Sequence, residues 1–272
     1  MPELPEVETV AADLRPQLIG SRFAAAHILW PRTLAAPDLE LLGARIVDRQ
    51  VTAIGRRGKY LLVHLDSGQT LIIHLRMTGQ LAVVADDSPL LNGPHLRASF
   101  ELTDGRRLTF TDARKFGRIW LVDKIEEVVG KLGLEPLDWT FTPEALAERL
   151  RTRRVAIKAL LLDQTVVAGV GNIYADEALF MAGIHPLRPA CSLTGDEIAR
   201  LCDAIRVVLQ ESIDERGTLL RDYRTPYGQD GAYQNRLRVY QQTGQPCPRC
   251  GTSIERIRVT QRGTHFCPRC QS

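Results

Sequence analysis

The chain lacks a long apolar run. No stretch approaches the roughly 18 uncharged apolar residues that a membrane helix requires, so no membrane partner is expected. It also lacks a basic leader: Glu3, Glu6 and Glu8 crowd its start, opposite to the basic opening of a signal peptide. A cytoplasmic protein is expected. There is no large charge excess either, since the formal net charge is +3. The six cysteines do not form a disulfide framework. Four of them fall in the last 26 residues as two C-x-x-C pairs, and Cys191 and Cys202 sit apart. In a reducing compartment that pattern reads as a metal site plus two inert thiols. What remains is an ordinary globular composition, 44% hydrophobic and 25% charged. A length of 272 residues suits two domains plus a small module.

Charge distribution says more than charge total. From Cys247 onward, Arg249, Arg256, Arg258, Arg262 and Arg269 face a single acid, Glu255. A second basic knot holds Arg149, Arg151, Arg153, Arg154 and Lys158. Each alone reads as a solvated face. Two in one chain favour a polyanionic partner, most often nucleic acid.

Apolar residues at helical spacing (Val7, Val10, Ala11, Leu14, Leu18) predict a helix over 5–19, with Pro5 in its first turn and Gly20 at its stop. From about 21 to 122 the pattern becomes short runs rich in Val, Ile, Leu and Tyr. Lys59–Leu65, Thr70–Leu75, Leu96–Leu102 and Arg107–Phe110 are examples, and Asp66-Ser67-Gly68 and Asp104-Gly105 supply turns. This predicts an antiparallel β-sandwich carrying one N-terminal helix. After Pro136 helices are expected at 143–150, 155–162, 172–182 and 194–213. A Pro/Gly/Tyr-rich loop follows at 224–233. The expected class is therefore α+β and multidomain, with boundaries at 1–136, 137–236 and 237–272.

Cys247-x-x-Cys250 and Cys267-x-x-Cys270 are separated by 16 residues. Each turn aims two thiolates at one point, and two turns complete a tetrahedron. Strands at 254–260 and 263–266 would form the hairpin of a zinc ribbon, with Gln261-Arg262-Gly263 at its tip, where an arginine can reach a phosphate. With four protein ligands the single Zn2+ has no open position, so its role is structural. Upstream, Gly169 and Gly171 interrupt a helical pattern before Asn172, which reads as the cap of the next helix. A glycine turn at a helix start can hold an anion, although between packed helices it is as often only structural. At the N-terminus, removal of Met1 would expose the secondary amine of Pro2. An α-amino group has a pKa of about 7.7–8.0, so part of it is neutral and nucleophilic near pH 7. Taken alone, an acidic helix start there merely suits the helix dipole.

The motifs together resemble the formamidopyrimidine-DNA glycosylase family. They run in the family's order along the whole chain: residues 1–9 (MPELPEVET), Gly58-Lys59-Tyr60, residues 74–79 (HLRMTG), residues 112–117 (DARKFG), residues 169–174 (GVGNIY), and residues 261–264 (QRGT) with the cysteines. The resemblance implies a β-sandwich domain, a helix–two-turn–helix domain with a lesion-binding loop and a zinc finger. It implies a DNA glycosylase and AP lyase that removes 8-oxoguanine and formamidopyrimidines from damaged double-stranded DNA and then cleaves the strand by β,δ-elimination. A bacterial, monomeric enzyme is expected. By resemblance Pro2 is the nucleophile, Glu3 the general acid, Lys59 a proton donor and phosphate contact, and Arg262 a δ-elimination or phosphate-clamping residue. Met77, Arg114 and Phe116 resemble the triad that fills the gap left by the extruded nucleotide. Met77 and Phe116 alone would also read as β-domain core. His74, His95, Arg154 and Asn172 resemble DNA-contacting positions. Thr218, Arg221, Asp222 and Tyr223 fall in the lesion loop.

One departure stands out. The family often has paired glycines where this chain has Arg216-Gly217, and the following segment carries Pro226 and extra tyrosines. Two competing readings are a sister enzyme of the endonuclease VIII type and a non-enzymatic DNA-binding protein. Leu4, where the sister group usually has glycine, and the Arg114/Phe116 pair speak against the first.

Overall fold

The fold is taken from a computed structural model that describes residues 1–218 and 231–272. The chain divides into two compact units. One comprises Met1–Lys131 with Arg216–Gly231, the other Leu132–Glu215 with Ala232–Ser272. No helix among the described residues is long and apolar enough to cross a membrane.

The first unit opens with helix α1 (Leu4–Leu18), and a short helix α2 spans Leu39–Ile46. Its strands are β1 (Phe23–Ile28), β2 (Leu34–Ala36), β3 (Val51–Arg57), β4 (Tyr60–Leu65), β5 (Thr70–His74), β6 (Gly79–Ala85), β7 (Leu96–Leu102), β8 (Arg106–Asp112) and β9 (Arg118–Val122), followed by one turn of helix, α3 (Glu126–Val129). They form a four-stranded sheet, order β1-β7-β8-β6, and a five-stranded sheet, order β2-β9-β5-β4-β3. All pairings are antiparallel except β2 with β9. The turns follow their residues: Gly68 and Gly105 take positive φ, and Asp104 accepts the N–H of Arg106.

One core joins both sheets to α1. Leu14, Leu18, Phe23, Leu61, Ile73, Phe100 and Phe110 are all fully buried in it. This is the predicted sandwich with its N-terminal helix. Strand β5 is buried on both faces. Its outer side is covered by a smaller cluster of Leu62, Ile72 and Val122 with Tyr60, Trp120, Ile125 and Val128. That explains why Thr70–His74 reads as a continuous apolar run instead of an alternating one.

The second unit is helical, with α4 (Pro143–Leu150), α5 (Ile157–Leu162), α6 (Asn172–Ala182) and α7 (Gly195–Asp214), and ends in the hairpin β10 (Glu255–Val259) and β11 (Arg262–Phe266). Thr142 caps α4 and Thr194 caps α7 in a full capping box with Glu197. Two expectations need correcting here. Lys158, counted in a basic knot, is fully buried on the apolar face of α5. It meets Asp176 of α6 at 2.6 Å and donates to the Thr264 hydroxyl (2.7 Å) and Gly263 carbonyl (3.2 Å) of β11. Asp176 also accepts the backbone N–H of His265 at 2.9 Å. A buried ion pair thus fastens the hairpin to the helices. Tyr233, expected in a loop, is fully buried and packs on Tyr174.

Removing one partner of a buried ion pair leaves the other charge uncompensated. Lys158→Ala is therefore expected to destabilise the second unit by about 3–5 kcal/mol, read as a lower urea midpoint. An unchanged midpoint would contradict the pairing.

Candidate active site and nucleic-acid contacts

Pro2 and Glu3 are buried at the head of α1. The helix begins here because Pro5 suits its first turn, and because Glu6 folds back to accept the N–H of Glu3 at 2.8 Å. The other oxygen of Glu6 accepts the N–H of Thr218 at 2.9 Å. One fully buried carboxylate therefore ties the N-terminus to the residue that opens the predicted lesion loop. Gly217 makes that approach possible, since it takes φ +85° and a Cβ there would press on Glu6. Arg216 occupies one of the positions where glycine was expected, and it too adopts a left-handed φ of 60°. A two-oxygen contact from its guanidinium to Asp13, at 2.7 and 2.9 Å, offsets that strain. Arg221, Asp222 and Tyr223 lie outside the described residues.

Lys59 is buried in the turn between β3 and β4, after Gly58 at φ +56°. Glu8 of α1 holds this turn through Arg56, whose guanidinium contacts Glu8 at 3.1 Å and the Gly58 carbonyl at 3.1 Å. Across the sheet, Tyr60 pairs with His74 and the two rings meet edge-on. Burial, reinforced by the positive charges of Arg76 and Lys59, lowers the His74 pKa to about 3. Its Nδ1 accepts the N–H of Arg76 at 2.9 Å. The ring is therefore neutral and acts as an acceptor that shapes the next loop, with its proton on Nε2.

That loop carries Met77, which is half-buried, after Arg76 at φ +57°. His95 and Arg114 are exposed, and Phe116 keeps half its surface in water. The Arg114 guanidinium lies 5.1 Å from the centre of the Phe116 ring. Neither exposure fits a core role, which leaves the gap-filling reading of these side chains open to them. Lys115 between them takes φ +61°, with its ammonium 4.1 Å from the centre of the Trp30 ring. Gly79 and Gly117 both rest against Phe110, where a Cβ would collide with that ring.

In the second unit, Gly171 and not Asn172 is the cap residue of α6. Asn172 occupies the first helical position and turns its side-chain amide to the Gly263 carbonyl at 3.0 Å. Glycine brings no capping group of its own, and that frees Asn172 for this longer reach. Gln164 braces the glycine turn by accepting from Gly169 N–H (3.0 Å) and donating to Val170 O (2.8 Å). Arg154 is exposed just ahead of α5. Arg262 is exposed as the first residue of β11, and the hairpin turn itself is Thr260-Gln261, at φ +46° and +62°. The tip therefore lies one residue earlier than the glycine suggested. Both are left-handed non-glycine residues, each strained by roughly 1–2 kcal/mol.

Arg249 of the basic tail is structural. It donates to the last carbonyls of α6, Phe180 O and Met181 O, at 2.9 Å each. Glu177 is fully buried and accepts the N–H groups of Arg238, Val239 and Tyr240. Burial raises its pKa against the pull of those donors. Burial also pushes the Cys202 thiol up to about 12, which keeps it inert.

Cys247, Cys250, Cys267 and Cys270 bring their four sulfurs within 4.8 Å of one another. Two of the separations are 3.9 and 3.5 Å. A tetrahedral ion with bonds of about 2.3 Å needs separations of roughly 3.8 Å, so the set fits one zinc ion with no position left for substrate. Glu6, Asp112, Lys158 and Asp176 were not among the expected site residues. Glu6 and Asp112 do lie within the motif segments 1–9 and 112–117, but composition and periodicity give them no role, and Lys158 is marked only by its place on the apolar face of a helix.

Known proteins with these features can be named. Residues 1–119 match the formamidopyrimidine-DNA glycosylase N-terminal domain, residues 132–223 the H2TH domain of the same enzyme, and residues 244–272 the zinc finger found in FPG and IleRS. A formamidopyrimidine-DNA glycosylase of Chloroflexus aggregans is 53% identical over 94% of this chain and 93% of its own length. The structure of Lactococcus lactis Fpg in complex with abasic-site DNA superposes with a TM-score of 0.91 at 37% identity, covering 99% of each chain. MutM in complex with DNA containing carbocyclic 8-oxo-G gives 0.90 at 38% identity over both full chains.

Two tests follow. The folded pKa of His74 lies below its unfolded value of 6.5. Its contribution is thus fully present above that value and is lost as pH falls toward 3. Between pH 7.5 and 5.5 the unfolding free energy should drop by about 1.4 kcal/mol more in the natural protein than in His74→Asn, which keeps an acceptor but cannot titrate. Equal drops would refute the neutral, buried ring. Cys250→Ser should abolish stoichiometric zinc, measured by metal analysis, while the β-sheet circular dichroism of the first unit persists. Retention of one zinc would exclude the four-cysteine site.

Proposed function

The chain belongs to the formamidopyrimidine-DNA glycosylase family, and on that premise we propose that it is a bifunctional DNA glycosylase and AP lyase of base excision repair, acting on 8-oxoguanine and formamidopyrimidines in duplex DNA through a Schiff base on Pro2. The observation that carries this is the buried Pro2–Glu3 pair, held at the head of α1 by Glu6.

With Met1 removed, the Pro2 nitrogen attacks C1′ of the damaged nucleotide. The bond from C1′ to the base breaks, and its electron pair leaves with the base, which takes up a proton. Glu3 delivers a proton to O4′ as the sugar ring opens, and the amine gives up its own proton to leave an iminium between Pro2 and C1′. Loss of a C2′ proton then expels the 3′ phosphate, and a second elimination expels the 5′ phosphate. Lys59, beside a neutral His74, supplies a proton and contacts the phosphate next to the lesion. Arg262 clamps a phosphate. A guanidinium with a pKa above about 12 is a poor proton donor, so clamping suits it better than acid catalysis. The α6 start with Asn172, together with Arg154, His74 and His95, contacts further phosphates.

Met77 and Phe116 wedge the gap left by the extruded base, and Arg114 donates to the edge of the orphaned partner. Thr218 opens the lesion loop that continues through Arg221, Asp222 and Tyr223. Zinc on the four cysteines supplies folding free energy to the hairpin. One copy carries nucleophile, clamp and zinc hairpin, which supports a monomer, working in the bacterial cytoplasm.

Borohydride trapping on 8-oxoguanine duplex should give a covalent adduct that maps by mass spectrometry to the peptide beginning at Pro2, and Lys59→Ala should retain it. An adduct on Lys59 would overturn the assignment of the nucleophile. Faster cleavage of thymine glycol than of 8-oxoguanine would overturn the substrate class.

A further inference from the structure

The loops that carry Met77, His95 and Arg114–Phe116 converge on one residue that no motif role above uses, the His95 loop on its backbone and the other two on its side chain. Asp112 ends β8 and is only 1% exposed. Its N–H donates to the His95 carbonyl at 2.8 Å, and its own carbonyl accepts from Arg97 Nε at 2.8 Å. Its Oδ1 accepts from the Thr78 hydroxyl and from the N–H of Arg114 at 3.1 Å. Its Oδ2 accepts the N–H of Gly117 at 2.7 Å. Every polar atom of the residue is engaged, and the partners come from three different loops. Thr78 follows Met77 directly, and Arg114 and Gly117 bracket Lys115 and Phe116.

We infer that Asp112 is a positioning residue that sets Met77, Arg114 and Phe116 relative to one another, and thereby sets opposite-base selectivity and the extrusion of the damaged base. The inference rests on the gap-filling reading of those three residues given above. The physical need is plain. A wedge must stay put while it displaces stacked bases, at a cost of a few kcal/mol per step. These side chains stand on loops with left-handed residues, Arg76 and Lys115, and such backbone persists only where its surroundings over-determine it. A carboxylate is suited to the task because it accepts on both oxygens at once. An asparagine is not. In either orientation of its amide, one NH2 group faces a backbone N–H, that of Gly117 or that of Arg114. Either the loop shifts at Gly117, or the Arg114 N–H is left on the Thr78 hydroxyl alone at 3.2 Å, although side-chain volume is conserved.

The test is Asp112→Asn of the full-length, zinc-loaded protein under single-turnover conditions. Base release from 8-oxoguanine opposite cytosine should fall about tenfold, as expected for loss of a charge-assisted bond. The ratio of release opposite cytosine to release opposite adenine should move toward one. Incision of a preformed abasic site, where no base has to be extruded, should fall several-fold less. Thr78→Val removes one donor from the same carboxylate and one weak acceptor of the Arg114 N–H (3.2 Å), leaves both carboxylate oxygens in place, and should move the ratio in the same direction by less. Equal losses on base release and abasic incision with an unchanged ratio would overturn the inference, because a general support of the fold behaves that way. Arg114→Ala separates the two levels of argument. If it shifts the ratio and Asp112→Asn does not, the positioning role fails alone. If Arg114→Ala leaves the ratio unchanged, the gap-filling reading fails and takes this inference with it.

Discussion

A carboxylate withdrawn from water has to be met by donors, because leaving it unpaired is far more costly than the hydrogen bonds that satisfy it. This constraint organises both units. Glu6 is met by the N–H groups of Glu3 and Thr218, and Asp112 by those of Arg114 and Gly117. Glu177 is met by three successive N–H groups starting at Arg238, and Asp176 by Lys158 and the N–H of His265. The donors to Glu6 and Asp112 sit on irregular backbone that carries residues proposed to meet DNA, whereas those to Glu177 and Asp176 fasten the segments around the zinc hairpin. Segments that propensity alone would leave loose are thereby fixed by the energetics of a buried charge.

The arrangement separates the residues that fold the chain from those proposed to meet DNA. The sandwich core needs only apolar residues in register, and α1 completes it with Leu14 and Leu18. The polar residues at its edge then face inward to the backbone, while Arg114 and Phe116 remain outside. The helical unit repeats this division. Lys158 and Asp176 are consumed in attaching the hairpin, whereas Arg262 beside their attachment point stays exposed.

Much of this was legible in the sequence, for identifiable reasons. The helical pattern located α4 and α7, and Asp-Ser-Gly and Asp-Gly located two turns; the capping roles of Thr142 and Thr194 appear only in the fold. The cysteine spacing located the metal cluster because ligand geometry leaves few alternatives. The misreadings share one cause: a local preference overruled by a distant partner. Lys158 sits beside arginines in the chain, but its partner is on another helix. Asn172 is a good cap former, yet Gly171 holds the cap position and the Asn172 amide donates to a carbonyl of the zinc hairpin. The tip expected at Gln261-Arg262-Gly263 moves one residue earlier, because the strands pair so that Thr260 and Gln261 turn.

The hairpin apex has a consequence for how this protein tolerates change. Thr260 and Gln261 hold a backbone conformation that an Asn-Gly pair would hold with little strain. A library screened for heat resistance would therefore enrich that pair. The relaxed apex would also let Arg262 swing through a wider arc, and a guanidinium that must be ordered on each encounter grips a phosphate less firmly. If Arg262 clamps a phosphate as proposed, selection for durability and selection for grip pull in opposite directions at these two residues. Enzymes of this type from hot and temperate habitats would be expected to diverge there before they diverge at the cysteines.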